Sequence, residues 1–411
     1  MSKISFFSSA TIGVYCVLGI TFWMFFQPEG IGDEGLMSLY LDEGKEMGFY
    51  SFISSANFSV PHGLLAYPLS LVLPNFIALR LISLIGSIFI WVYLSRKSLM
   101  RNSFAGPHLA FYIASGSFLI GTNDTLLFCF LVVFLFESYL VMEGYQKELP
   151  AYAYFSLVSA FFTREFSIIY LPLVATALLL IFRDKYQFYP GMKILMGSIL
   201  FWLVLNLPPL IHQGKIGYDN KNIENKQLDC TWTQRQYLSQ LKANADEIPE
   251  FSHVTWEETR AYLDQNGENS LPRTFSESIF FDMKMTVKEF VKDFLFLIKA
   301  GFRNIGLAIF FPVLVFVINF KKPSLGNYFV GIGQFAMMSI FSLIIISYIE
   351  IRWLAPVFLI GIVALNLGIK QLKNKNWDLI NRISLGLLSL YGILTYWRMI
   401  HTSPVWLTYF G

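Results

Sequence analysis

Asp33 and Glu34 stand side by side in Gly32-Asp33-Glu34-Gly35, shortly after the first long apolar run, and an amphipathic segment follows at 36–47. A hydroxyl is a poor nucleophile at neutral pH, and a positioned carboxylate can take its proton. Further ionisable side chains fall at the ends of apolar runs. These are Asp124 in Thr122-Asn123-Asp124-Thr125, Arg164 with Glu165, and Glu350 with Arg352 in Glu350-Ile351-Arg352-Trp353-Leu354-Ala355-Pro356. A charge facing lipid costs about 3 kcal/mol or more, so such residues usually face a polar cavity or each other.

The elements that must hold these residues are membrane helices. Of the 411 residues, 55% are hydrophobic and only 14% charged, against the ~25% usual for soluble domains. Mean hydropathy is +0.52. Apolar runs of roughly 17–22 residues recur along the chain, each long enough to cross a bilayer. The pattern predicts an all-α polytopic membrane protein of about eleven spans, near 7–26, 77–95, 106–122, 125–142, 151–163, 166–182, 192–212, 303–320, 327–349, 353–369 and 383–397. The first run ends in Trp23-Met24-Phe25-Phe26 without a small-x-small cleavage site and reads as a retained span. The chain reads as a single transmembrane domain, 1–411.

Basic residues set the sidedness of this scheme. Lys3, Arg96, Lys97, Arg101, Lys147, Arg183, Lys185, Lys321, Lys322, Lys370, Lys373, Lys375 and Arg382 fall on one side. The short loops opposite hold Arg164, Arg352 and the terminal Arg398. The cytoplasmic excess of Lys and Arg predicts a multi-pass cytoplasmic (inner) membrane protein with its N-terminus inside and its C-terminus outside. The candidate site residues then gather on the outer face.

Two longer segments face outward. In 27–76, the apolar stretch 61–73 is too short to span and reads as an interfacial helix carrying His62 and Tyr67. In 213–302, the last part alternates Lys288, Lys292 and Lys299 with Phe290, Phe294, Leu295 and Leu297. That is a juxtamembrane amphipathic helix with a basic face suited to anionic headgroups.

Plainer readings stand beside the chemical ones. Asp33 would cap a helix starting at Gly35, and Asp124 would cap the fourth span. Arg164 would pair with Glu165, and Arg352 with Glu350. His62 beside Pro61 would be structural. A net charge of +3 gives no argument for a nucleic-acid partner. Cys16, Cys129 and Cys230 show no ligand or disulfide spacing, and no metal site is expected. The sequons at Asn57 and Asn123 lie close to the membrane and read as chance matches.

Taken in order, these motifs resemble the GT-C superfamily of integral-membrane glycosyltransferases. The likeness is to the branch with protein O-mannosyltransferases and the aminoarabinose transferase of lipid A. It rests on the outer-loop pair Asp33-Glu34, the interfacial Pro61-His62-Gly63-Leu64-Leu65-Ala66-Tyr67 and the Arg80-Leu81 entry to the second span. Asp124 opening the fourth span, Arg164 between the fifth and sixth, and Arg352-Trp353-Leu354-Ala355-Pro356 complete it. The family's lysine in the interfacial segment is absent here, with His62 nearby, and there is no Trp-Trp-Asp motif.

The resemblance implies transfer of a sugar from a polyprenyl-phosphate donor, reached from the bilayer, to a hydroxyl on a glycan, lipid or protein. Asp33 is then the expected base, with Glu34 as alternate or orienting partner. Arg352 or Arg164 would hold the leaving phosphate. Asp124, Glu165, His62, Tyr67 and Glu350 would contact substrate. No cofactor is required, and a divalent cation is admitted without being needed. The competing reading is a non-catalytic polytopic protein: a transporter, a flippase or a component of a lipid-glycan polymerase. A transporter would place polar residues near the midplane on broken helices within a repeat. Here the charges lie at span ends, and no internal repeat is visible.

Overall fold

The computed structural model describes residues 3–30, 32–96, 100, 103–116, 118–183, 185–218, 224–225, 227–249, 252–319, 324–344, 349–372 and 375–409. Lys97, Arg101, Asn220, Lys321, Lys322 and Lys373 therefore lie outside the described residues. The protein is almost wholly helical, as its apolar runs predict. Two compact units divide the chain: 1–220 with 301–334 and 354–411, and 221–300 with 335–353.

The first unit opens with α1 (Lys3–Thr21) and a π-helical turn, Phe22–Phe26. Short helices follow: α2 (Asp33–Met47), α3 (Phe49–Ser54) and α4 (Val60–Ser70). Next come α5 (Asn75–Arg96), α6 (Ala105–Ile113), α7 (Asp124–Met142), α8 (Ala151–Thr163), a 3-10 stretch at Glu165–Tyr170, α9 (Leu171–Phe182), α10 (Lys185–Leu205) and α11 (Leu207–Gln213). The second unit holds a two-residue hairpin ladder, β1 (Glu224–Asn225) and β2 (Cys230–Thr231), then α12 (Trp232–Asn244), α13 (Trp256–Asn266) and α14 (Phe275–Phe281). The remaining helices are α15 (Met283–Ile305), α16 (Phe311–Asn319), α17 (Leu325–Ser342), α18 (Ala355–Leu372), α19 (Lys375–Thr402) and α20 (Pro404–Tyr409).

Seven helices are long and apolar enough to cross a membrane among the described residues, or eight if α10 and α11 form one span bent by 57°. That bend falls at Leu207-Pro208-Pro209, where proline removes N–H donors and disfavours a helical residue before it. Two expected spans lie on shorter helices. The run at 106–122 is helical only through α6, and the run at 151–163 is the thirteen-residue α8. The first ends early because Gly116 adopts a φ of +96° with the Trp23 indole packed over it. For the run at 327–349, α17 ends at Ser342 and 345–348 lie outside the described residues.

The burial of the helices separates centre from rim. α7 and α18 are buried over nearly their whole length, whereas α1, α10 and α19 expose long apolar faces. Helices that are apolar all round belong in a protein core or a lipid phase. The buried polar groups on the central helices are partnered. Glu137 on α7 takes hydrogen bonds from Tyr93 and from Gln146 (2.7 Å). The imidazole of His108 lies between the Ile305 carbonyl (2.9 Å) and Asn366 (3.1 Å).

The second unit has its own core of Cys230, Tyr237, Leu238, Val254, Leu263, Leu271 and Met285. Reciprocal capping boxes, Thr231 with Gln234 and Thr255 with Glu258, start α12 and α13. Cys16, Cys129 and Cys230 are free thiols.

Candidate active site

The loop before α2 is built by glycine. Gly30 has φ +75° and Gly32 φ +61°, ψ −133°, a conformation that side chains strongly resist. Gly35 closes it, since a Cβ there would lie 2.6 Å from the Gly30 carbonyl oxygen. The helix therefore starts at Asp33, with Gly32 as its N-cap and no side-chain cap. Both carboxylates occupy the first turn, where the helix dipole favours negative charge.

Glu34 is 2% exposed and forms a two-pronged ion pair with Arg80, Nε to Oε1 and Nη2 to Oε2, both 2.7 Å. The other Arg80 N–H groups reach the carbonyls of Gln27 (3.1 Å), Pro28 (3.1 Å) and Met24 (3.4 Å). Arg80 thus ties the end of the first long helix, the glycine loop and α2 to α5. Gly121 makes room for this pair, because a Cβ there would fall 2.5 Å from Glu34 Oε1.

Asp33 has a different partner. Arg164 donates from Nη2 to Asp33 Oδ2 (3.2 Å), and from Nη1 to Asp124 and to Asn123 Oδ1 (3.3 Å). Asp124 is the first residue of α7. Asn123 is its N-cap, and no side chain caps the helix. Gly32 and Asn123 stand at the two N-cap positions, and Asp33 and Asp124 share the Arg164 guanidinium. Arg164 sits in extended backbone between α8 and the 3-10 stretch, 5% exposed. Glu165 is exposed and makes no ion pair among the described residues. Asn123, the first residue of a glycosylation sequon, is fully buried.

Glu34 pairs with Arg80, and Asp33 and Asp124 share Arg164. Asp33 is the open member: its side chain is 23% exposed, against 2–3% for Asp124 and Glu34. It can meet a hydroxyl from outside, while Glu34 is committed to Arg80.

His62 lies in the first turn of α4, fully buried, with its ring stacked on Phe58 at 4.9 Å. Neither ring nitrogen has a hydrogen-bond partner among the described residues, nor does the neighbouring Ser59 hydroxyl. Burial pushes the imidazole pKa down to about 3, against an opposing pull from Asp124, so the ring is neutral. Tyr67 belongs to the apolar cluster instead, packed on Phe49 (5.1 Å) and Phe52 (5.3 Å).

Glu350 and Arg352 belong to the second unit and form their own ion pair, beside Trp353 on Phe341 (5.8 Å). No group of three or more His, Cys, Asp and Glu among the described residues is arranged to hold a metal. Two partners were not among the expected site residues: Arg80, which the sequence offers only as the entry to the second span, and Asn123, which it offers only as a sequon. Arg80 carried a signal, being the only charge in the run 77–95. Comparison of the chain with protein-family models, with curated proteins and with solved structures finds no match.

Proposed function

We propose that the chain is an inverting glycosyltransferase that moves a sugar from a polyprenyl-phosphate donor to a hydroxyl acceptor. It would work at the outer face of a membrane crossed about eleven times. The observation that supports this best is Asp33. It is a partly open carboxylate in the first turn of a helix, aimed by a buried arginine that a second carboxylate holds. Such a group is suited to a general base.

In this reading Asp33 accepts the proton of the acceptor O–H. The acceptor oxygen bonds the anomeric carbon as the bond from that carbon to the phosphate oxygen breaks. Polyprenyl phosphate leaves, and a single displacement inverts the configuration. Arg164 and Asp124 position the base. Glu34 and Arg80 fix the loop that carries it.

The test is Asp33→Asn in purified protein, assayed with a polyprenyl-phosphate sugar. The exchange is nearly isosteric and keeps a hydrogen bond to Arg164. Transfer is expected to fall by about 10²–10⁴-fold with thermal stability little changed. Transfer at the wild-type rate would take the base role from Asp33. No transfer by the wild type with any such donor favours the non-catalytic reading.

A further inference from the structure

Among its described residues, the second unit carries an exposed apolar face. Along α15, Met283, Val287, Val291 and Leu295 recur every fourth residue and are each half exposed or more, and Phe280 and Phe281 of α14 extend the patch, Phe280 at 74% exposure. Spacing of four puts the α15 residues on one stripe of the helix. Lys284, Lys288 and Lys292 run in a parallel stripe one residue along, with Lys299 above them, all exposed. The acids of α15 are kept away from this face. Glu289 is 2% exposed and turned into the unit, where Gln240 (3.0 Å) and Asn244 (2.8 Å) donate to it, with Lys292 at 3.8 Å. Asp293 follows Lys292, about 100° round the helix from it, and is partly buried.

The face is rigid. Thr286 bonds the Ile279 carbonyl (2.8 Å), joining α14 to α15, and Asp282 caps α15 through the Met285 N–H (3.0 Å). Within the same unit the Phe294 ring meets Phe335 of the apolar α17 edge-on at 5.7 Å. An apolar stripe flanked by lysines whose stems lie along it is the arrangement that enters a headgroup layer, with ammonium groups left at the phosphates.

We propose that the α14–α15 face of the second unit is a preformed binding surface for anionic lipid headgroups. The apolar stripe enters the acyl boundary and Lys284, Lys288, Lys292 and Lys299 gather the anionic lipid. This surface is independent of the chemistry at Asp33. A hydrophobic residue alone would select any bilayer; the lysine stripe makes the selection one of charge.

The test uses the full chain in vesicles, with a fluorophore on Val287→Cys in a Cys16→Ser background, since Cys129 and Cys230 are buried. Quenching by brominated phosphatidylglycerol is compared with quenching by brominated phosphatidylcholine at the same mole fraction. The anionic lipid is expected to be enriched about fivefold at the label, the factor a single lysine–headgroup attraction gives. The preference should shrink as salt rises. Lys284→Gln, Lys288→Gln and Lys292→Gln together should remove it while quenching by both lipids persists, with thermal unfolding as the check on folding. Equal quenching by the two lipids in the wild type would overturn the proposal in favour of simple apolar insertion. Quenching by neither would overturn it too, and would show that protein covers the face.

Discussion

Asp33 and Glu34 are neighbours in the chain and differ in their relation to solvent, and that difference separates their expected roles. Glu34 is sealed against Arg80, whose remaining donors hold three backbone carbonyls. Removing one member of a buried ion pair strands the other, at about 3–5 kcal/mol. Arg80→Ala is therefore expected to lower stability by about that much, read as the denaturation midpoint in detergent. Arg80→Met with Glu34→Gln should recover part of the loss. A loss of transfer with stability intact, the signature expected of Asp33→Asn, would instead put Arg80 in the chemistry. His62 gives a pH-dependent expectation. Its imidazole has an ordinary pKa near 6.5 and is held at about 3 in the fold. Unfolding thus takes up a proton between those values, so the ring's contribution is present above about 6.5 and lost as pH falls toward about 3. Compared at about pH 7.5 and about pH 5, the wild type should lose stability relative to His62→Leu. An unchanged gap between the two proteins would show that the ring is not buried and neutral.

At the scale of elements, the site depends on two glycines that no periodicity reveals. Gly121 lets the Glu34 carboxylate lie against α5, and Gly116 lets Trp23 cross the end of α6. Gly121→Ala places a methyl where Glu34 Oε1 now sits. It is expected to cost about 1–3 kcal/mol as an overpacked core and to slow transfer by shifting α2. Gly13→Ala, inside α1, is the control: nothing lies within 4 Å of a Cβ there, so it should leave the rate unchanged and raise stability by up to about 1 kcal/mol. A Gly121→Ala protein as stable as Gly13→Ala would mean the loop is not held at this point. Legibility in the sequence follows the same division. Helices α1, α5, α7 and α18 were readable because an unbroken apolar run has no other way to satisfy its backbone in lipid. The break at Pro208-Pro209 has a signal in proline chemistry, yet the run 192–212 reads as one span. The early end of α6 was not, since it depends on Trp23, distant in the chain. The acidic and basic site residues were visible as charges in apolar surroundings, but their pairing was not. Glu34 with Arg80, and Arg164 with Asp124 and Asp33, are matches that only the packing of α2, α5, α7 and α8 decides.

For the whole molecule, the placement of charge along the first unit gives the last expectation. Arg80 lies near the start of α5, Asp124 at the start of α7 and Arg164 at the end of α8, so the cluster occupies one end of these helices. Arg96 closes α5 at the other end, and Lys147 lies in the turn from α7 to α8. With 22 and 19 residues, α5 and α7 hold these ends about 28–33 Å apart at 1.5 Å per residue. That is the thickness of a hydrocarbon core, so the cluster and the basic turns are expected on opposite faces of a bilayer. Lys and Arg are retained on the cytoplasmic side. The carboxylate cluster is thus expected outside, where a polyprenyl-phosphate sugar already flipped across the membrane would meet it. Glu29 is exposed in the loop beside Asp33, and Lys147 is exposed at the far end. In intact cells a membrane-impermeant maleimide should label Glu29→Cys and leave Lys147→Cys unlabelled until the membrane is opened. The reverse pattern would put Asp33 in the cytoplasm, where nucleotide sugars are made, and would remove the outer-face donor from the proposed reaction even if Asp33 remained its base. Labelling of both positions before permeabilisation would mean that the helices between them do not cross the bilayer, and the site would then belong to a surface-bound fold.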